Sequence, residues 1–130
     1  MMKQFTLKYS LVLSIIWGLI ILGLCSMPGQ YIPSVSFLEM VSFDKWVHAS
    51  MFFILSSLVF LTVKQKTNEK KQIYLFLFIC ISYGCLLEIM QGTLFSNRSA
   101  DWNDIIANSF GCIVSLIFYN KIYNYLIKSK

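Results

Sequence analysis

Charged residues are scarce in this chain of 130 residues, and their scarcity excludes most classes of water-soluble protein. Only 13% of the residues are charged, whereas 57% are hydrophobic and the mean hydropathy is +0.66. A soluble globular domain carries about 25% charged residues. The composition therefore indicates an integral membrane protein.

The sequence also lacks the spacings that typify zinc sites and redox centres. It has a single histidine and so no H-E-x-x-H motif, and no two of its four cysteines are spaced C-x-x-C. A zinc protease is therefore not expected. The cysteines lie within or at the end of apolar runs, which favours packing in the core. They are Cys25, Cys80, Cys85 and Cys112.

Long apolar runs dominate the chain. They cover residues 9–25, 46–63, 72–91 and 105–119. A helix needs about 20 residues to cross a membrane, and the first run is longer than the roughly 7 to 15 apolar residues of a signal peptide, which favours an uncleaved span. The sequence predicts an all-α fold, a polytopic bundle of four transmembrane helices in a single domain over residues 1–130. The proline-containing segment between the first two helices is expected to lie at the membrane interface or to re-enter the bundle.

Most basic residues fall on one side of this four-span topology. Nine of the 11 lie before the first span, between the second and third spans, or after the fourth. The positive-inside rule then predicts a multi-pass plasma-membrane protein with both termini in the cytoplasm. The net charge of +5 reflects this topology, and no nucleic-acid-binding motif accompanies it.

The other polar residues gather at the opposite, outer ends of the spans. Three sets of them share a helix face through i+3 or i+4 spacing. The sets are Asp44 with His48, Glu88 with Gln91, and Asp101 with Asp104 and Asn108, and Lys45 and Arg98 lie beside them in sequence. We therefore expect a polar pocket that opens at the outer face of the membrane.

Within this pocket, Glu88 and His48 are the candidate catalytic residues. A charged side chain near the centre of a transmembrane helix costs about 2.5 to 3.5 kcal/mol, and less near the interface. Because neither residue has an obvious structural role at its depth, each is a functional-site hypothesis.

The neighbouring residues have structural alternatives that stay open. Asp101 fits a helix N-cap as well as a binding site. Asp44 could stabilise a helix N-terminus while Lys45 extends to the headgroups. Asn108 could hydrogen-bond a neighbouring helix, and Arg98 could pair with a lipid phosphate at the interface.

Two further features of the spans concern packing. Ala107, Gly111 and Ser115 form a stripe of small residues at i+4 steps, which is typical of closely packed membrane helices. Trp17, near the middle of the first apolar run, fits either a core position or a lipid-facing one.

Two stretches, FDKWVHASMFFILSSLVF and LLEIMQGTLFSNRSADWNDIIANSFGCIVS, resemble the VanZ-like family. The second stretch carries the family-like order Glu88, Gln91, Arg98, Asp101, Asp104, Asn108 and Gly111. The proline-containing SMPGQYIP upstream adds to the resemblance. It implies a small membrane protein of about four spans, with its motif residues at one membrane face and a link to teicoplanin-type glycopeptide resistance.

Two functions from different classes fit these residues. In the first, Arg98 and Lys45 hold the phosphate of an anionic envelope lipid or lipid-linked glycan, and the carboxylates accept hydrogen bonds from sugar hydroxyls. In the second, an intramembrane enzyme uses His48, oriented by Asp44, as base or nucleophile and Glu88 as a second acid or base.

Two questions stay open beside these functions. A divalent cation such as Mg²⁺ or Ca²⁺ among Asp101, Asp104 and Glu88 suits hard oxygen ligands. Alternatively, the polar groups only fasten the helices together, in which case their removal lowers stability alone.

Overall fold

The computed structural model describes residues 2–27, 43–94 and 99–128, and the regular structure in these ranges is helical. In chain order the helices are α1 (Met2–Lys8), α2 (Ser10–Cys25), α3 (Phe43–Lys66), α4 (Lys70–Leu94) and α5 (Trp102–Ile127). The predicted all-α membrane-protein class is confirmed.

Three helices are long and apolar enough to cross a membrane. They are α3, α4 and α5, with 24, 25 and 26 residues. Helix α2 has 16 residues, fewer than the roughly 20 that a span requires, and α1 meets it at an angle of 81°. Helices α1 and α2 make a fourth span only if this bent pair is counted as a single span. The predicted interfacial or re-entrant segment falls in residues 28–42, outside the described residues.

The helices alternate in direction along the bundle. Thr62, near the end of α3, donates a hydrogen bond to Ser10 at the start of α2 over 2.9 Å. At the other end of the bundle, the Gln91 amide donates to the carbonyl oxygen of Cys25 over 3.2 Å. The end of α2 therefore lies beside the end of α4, where α3 and α5 begin.

Lysine residues gather at the end of the bundle opposite to the starts of α3 and α5. Lys3 of α1 lies 3.7 Å from the ring centroid of Tyr125, close to the end of α5. Lys64 and Lys66 end α3, and Lys70 begins α4. The structure thus separates a lysine-rich end from a carboxylate-rich end, and the assignment of the lysine end to the cytoplasm stays a prediction.

Small residues bring α3 and α5 together. A Cβ atom at Gly111 would overlap the carbonyl oxygen of Ala49 and lie 3.0 Å from the backbone nitrogen of Phe53. One turn further along, the hydroxyls of Ser115 and Ser57 are 2.9 Å apart. The small-residue stripe is confirmed as a packing surface, and it holds the starts of α3 and α5 side by side.

Helix α2 is fastened to the bundle through backbone carbonyls. The Trp17 indole donates to the carbonyl oxygen of Met51 over 2.9 Å, and the Tyr83 hydroxyl donates to that of Gly18 over 2.7 Å. Trp17 is therefore a half-buried core residue, the first of the two positions expected for it.

The cysteines pack as the sequence suggests. Cys25, Cys80 and Cys112 belong to one buried apolar cluster with Phe52 and Leu87. Cys85 is partly buried on α4. A thiol at these positions acts as a small apolar side chain.

Candidate functional site

Seven polar side chains from three helices meet at the carboxylate-rich end of the bundle. We call them the polar cluster: Asp44, Lys45 and His48 from α3, Glu88 from α4, and Asp101, Asp104 and Asn108 from the start of α5. Their helix positions are those that the i+3 and i+4 spacing predicts. The structure adds which of them touch across helices.

Lys45 is surrounded by carboxylates. Its Nζ atom lies 2.9 Å from Asp44, 2.6 Å from Asp101 and 2.5 Å from Asp104. An ammonium group has three N–H donors, so three carboxylates occupy all of them. Lys45 therefore ties α3 to α5 instead of reaching out to lipid headgroups, and its charge is already neutralised.

Asp101 serves as helix cap and as cluster member at once. One carboxylate oxygen accepts a hydrogen bond from the backbone N–H of Asn103 over 2.8 Å, the N-cap interaction of α5. The other oxygen accepts from Lys45. This Lys45 ammonium group, with the Asn103 N–H, holds the pKa of the Asp101 carboxyl below its usual range. The two alternatives for Asp101 are thus compatible.

His48 lies between carboxylates of two other helices. Its Nδ1 atom is 3.1 Å from the Asn108 side-chain oxygen and 3.9 Å from Oε1 of Glu88. Its Nε2 atom is 3.8 Å from Oδ2 of Asp104. The imidazole is therefore placed to exchange a proton, or to share a cation, with either carboxylate.

Glu88 is completely buried. Its side chain is 0% exposed, and its Oε2 atom accepts from the backbone N–H of Asp101 over 3.4 Å. The N-terminus of α5 therefore points at this carboxylate, and the positive end of a helix dipole stabilises a negative charge. Glu88 connects α5 to His48.

Gly84 is a residue of the site that sequence reasoning missed. A Cβ atom at this position would lie 3.1 Å from Cβ of Asn108 and 3.1 Å from the Phe52 ring. Its lack of a side chain lets α4 approach α5 one turn before Glu88. The i−4 spacing from Glu88 was the available signal.

Two predicted site residues lie apart from the centre of the cluster, and a third lies outside the described residues. Gln91 is buried, but its amide hydrogen-bonds Cys25 at the end of α2. The Asp44 side chain is 59% exposed and its ion pair is with Lys45. Arg98 falls within residues 95–98, outside the described part of the chain.

The described cluster carries an excess of negative charge. Four carboxylates face one ammonium group, which leaves three negative charges when all are ionised and the imidazole is neutral. Such a site favours cations and hydrogen-bond donors over a bare anion. The residues that could hold a divalent metal also differ from the predicted set of Asp101, Asp104 and Glu88. Asp101 faces Lys45, whereas His48 converges with Glu88 and Asp104.

An apolar groove of about 400 Å³ runs along two of the helices that carry the cluster. It lies between α3 and α5, with Trp46 and Ala49 on one wall and Phe110 and Val114 on the other. Trp46 follows Lys45 directly in the chain. None of the seven cluster residues lines the groove, so the groove and the cluster are separate surfaces of the α3–α5 pair.

Comparison with known proteins identifies the family of this architecture. A family model described as VanZ/LLP1 matches residues 6–124, nearly the whole chain. No curated protein and no solved structure matches the chain. The match confirms the resemblance drawn from the two sequence stretches.

Proposed function

The chain belongs to the VanZ/LLP1 family, and we propose that it binds the headgroup of an envelope lipid or lipid-linked glycan at the polar cluster. Its family and its three membrane-length helices make it a VanZ-like multi-pass membrane protein related to glycopeptide resistance. The proposal adds a ligand, a site and an orientation, with the cluster facing the outer leaflet.

The burial of Glu88 is the observation that carries this proposal. A fully buried carboxylate at a helix end is costly, and α4 does not need it to cross a membrane. Here it touches the start of α5 and faces the single histidine. An ionisable group placed in this way supports a binding or catalytic role.

The groove beside the cluster supports a lipid as the ligand. A lipid has a polar headgroup and long apolar chains, and the cluster and the groove between α3 and α5 offer these two surfaces in that order. Binding buries apolar chain surface, which contributes about 25 cal/mol per Å². The cluster would then fix the identity of the headgroup.

The charge of the cluster changes the role proposed for Lys45. Because three carboxylates already occupy its donors, Lys45 positions the acidic residues and does not hold a phosphate. The carboxylates accept hydrogen bonds from hydroxyl or amino groups of the headgroup. Sequestering such a lipid would change how a lipophilic glycopeptide meets the membrane.

Catalysis is the second candidate, and the surroundings of His48 favour it. Both ring nitrogens lie within 3.9 Å of a carboxylate oxygen. A proton could pass from a bound hydroxyl to His48, with Glu88 or Asp104 stabilising the imidazolium that forms. An intramembrane enzyme acting on a lipid-linked phosphate would use this arrangement.

Extraction of co-purified lipid separates the two functions. We would purify the wild-type protein and Glu88→Gln from the same membranes and identify the bound lipid by mass spectrometry. Glu69→Gln is the matched control, because Glu69 is exposed and lies at the lysine-rich end. Binding predicts a stoichiometric lipid that is lost in Glu88→Gln and retained in the control.

Incubation with total envelope lipids completes the test. A new product that forms with the wild type but not with His48→Ala would establish catalysis in place of binding. If Glu88→Gln retains the same bound lipid as the wild type and neither protein forms a product, the polar cluster is not the site and both functions are wrong.

A further inference from the structure

We propose that His48, Glu88 and Asp104 form a site for a divalent cation of the first transition series, such as Mn²⁺ or Zn²⁺. Each residue offers one ligand atom, and these atoms lie within 4.8 Å of one another. They come from three different helices, so the site exists only in the folded bundle. A nitrogen donor with two carboxylates suits these ions better than Ca²⁺, which takes oxygen ligands alone.

The spacing of the ligand atoms fits a shared ion. The Nε2 atom of His48 is 3.8 Å from Oδ2 of Asp104, and Nδ1 is 3.9 Å from Oε1 of Glu88. Two atoms bonded to one ion at about 2.1 Å lie roughly 3 to 4 Å apart. The 3.8 Å between Nε2 and Asp104 is too long for a direct hydrogen bond but fits two ligands of one cation. One ion bonds only one nitrogen of an imidazole, so Glu88 would complete the set through an oxygen atom within the 4.8 Å that contains all three ligand atoms.

The protons of His48 also point to a cation. A neutral imidazole carries one N–H, yet carboxylates flank both ring nitrogens. The Asn108 oxygen, 3.1 Å from Nδ1, accepts that N–H. The lone pair on Nε2 then faces the Asp104 carboxylate, and a positive ion between them removes the repulsion.

Asn108 provides the support that histidine ligands usually have. A metal-bound histidine donates its second N–H to an amide or carboxylate oxygen, which fixes the tautomer and the ring orientation. Asn108 is 1% exposed, and its side-chain nitrogen has no hydrogen bond among the described residues. That nitrogen is a buried donor available to an oxygen ligand bound beside the imidazole.

The charge balance leaves room for one divalent ion. Lys45 pairs with Asp44, Asp101 and one oxygen of Asp104, but its single charge offsets only one of these carboxylates. Glu88 and the second oxygen of Asp104 face His48 instead. A divalent cation placed there offsets most of the excess negative charge of the cluster.

The ion would also explain how a phosphate can approach this acidic cluster. A cation held by three protein ligands keeps open positions for oxygen atoms of a headgroup. This step rests on the proposed lipid function, whereas binding of the ion itself does not. The two are therefore measured separately.

Binding of Mn²⁺ to the delipidated full chain in detergent tests the site. Free Mn²⁺ is counted by electron paramagnetic resonance during a titration. We expect one equivalent to bind, with at least tenfold weaker binding in Glu88→Gln and His48→Ala. Glu69→Gln is the matched control, since it removes an exposed carboxylate at the lysine-rich end, outside the polar cluster, and should bind as the wild type does.

A spectroscopic signature tests the wild type without any variant. Pulsed measurements on bound Mn²⁺ should show the magnetic coupling of one imidazole nitrogen. Absence of stoichiometric Mn²⁺ and Zn²⁺ binding, or bound Mn²⁺ without this coupling, overturns the site. Equal affinity in folded Glu88→Gln would do the same.

Adding the lipid extract to the Mn²⁺-loaded protein separates this proposal from the lipid function. Stoichiometric Mn²⁺ that is indifferent to lipid supports the cation site and argues against the headgroup proposal. Lipid that binds equally well to metal-free and metal-loaded protein supports the headgroup proposal. It would also show that the headgroup does not need the cation.

Discussion

Lys45 Nζ and Asp104 Oδ1 lie 2.5 Å apart and join the first turn of α3 to the first turn of α5. The second oxygen of Asp104 faces His48, 3.8 Å from its Nε2 atom. One carboxylate oxygen of Asp104 therefore pairs with the Lys45 ammonium group, and the other faces the His48 imidazole. The Asp104 side chain thus connects Lys45 to His48.

Replacing Lys45 with methionine should destabilise the bundle. The change retains the length of the side chain but leaves three carboxylates without their shared cation. We expect a loss of about 2 kcal/mol, less than the 3 to 5 kcal/mol for breaking a fully buried pair. Thermal unfolding in detergent measures it, and the exposed Lys66→Met serves as control. An unchanged melting temperature would show that the carboxylates are protonated in the native state.

A methyl group at Gly111 should separate α3 from α5. Its Cβ atom would overlap the Ala49 carbonyl, and such overpacking costs about 1 to 3 kcal/mol or more. Gly23→Ala is the control, because nothing lies within 4 Å of a Cβ atom there. Unfolding measurements should show Gly111→Ala destabilised and Gly23→Ala unchanged or more stable. Equal stability of the two variants would mean that the helices do not meet at Gly111.

Asp101 should make its contribution to stability only above acidic pH. Lys45 and the Asn103 N–H lower the pKa of Asp101 from its usual 3.8 in the folded protein. The stabilisation is therefore present above the unfolded-state pKa and disappears as the pH falls through the lower folded-state value. Asparagine can still cap α5. The difference in melting temperature between the wild type and Asp101→Asn should thus be largest at neutral pH and disappear only at a pH below the usual 3.8 of an aspartate.

Gln91→Leu should weaken the attachment of α2 without altering the polar cluster. The variant loses the hydrogen bond to the Cys25 carbonyl, which is worth about 1 kcal/mol. Lipid retention and Mn²⁺ affinity should stay at wild-type values, whereas the melting temperature falls. The exposed Gln72→Leu is the control for the substitution itself. Loss of the ligand with unchanged stability would instead place Gln91 in the site.

Labelling with a membrane-impermeant maleimide tests the orientation of the bundle. Asn103 is exposed beside the polar cluster, and Asn68 is exposed at the lysine-rich end. In intact cells, Asn103→Cys should react and Asn68→Cys should not. The reverse pattern would invert the topology and turn the polar cluster toward the cytoplasm.

The helices and their polar faces could be predicted from the sequence because both follow from local periodicity. Three of the four apolar runs lie within longer helices, and Asp101, Asp104 and Asn108 face α3 together as their spacing predicts. Periodicity is silent about the sharp bend between α1 and α2, since neither proline nor glycine marks it.

Contacts between helices could not be read in the same way. Gln91 follows Glu88 by three residues, and this spacing moves it about 60° around α4 and 4.5 Å along it. That displacement is enough to bring it to the end of α2 instead of His48. For the same reason, the sequence left Lys45 between the lipid headgroups and the pocket and did not show its three carboxylate partners, which come from two helices.

At Gly111, the backbone of α5 packs directly against the Ala49 carbonyl of α3, below the polar cluster. Asp104 lies seven residues before Gly111 on α5, a lever arm of about 10 Å. A tilt of α5 by about 10° around this contact would move the Asp104 backbone by roughly 2 Å and the opposite end of the helix, 16 residues beyond Gly111, by about 4 Å. The close approach at Gly111 therefore fixes the spacing between the starts of α3 and α5, and with it the distance that Lys45 and Asp104 must span.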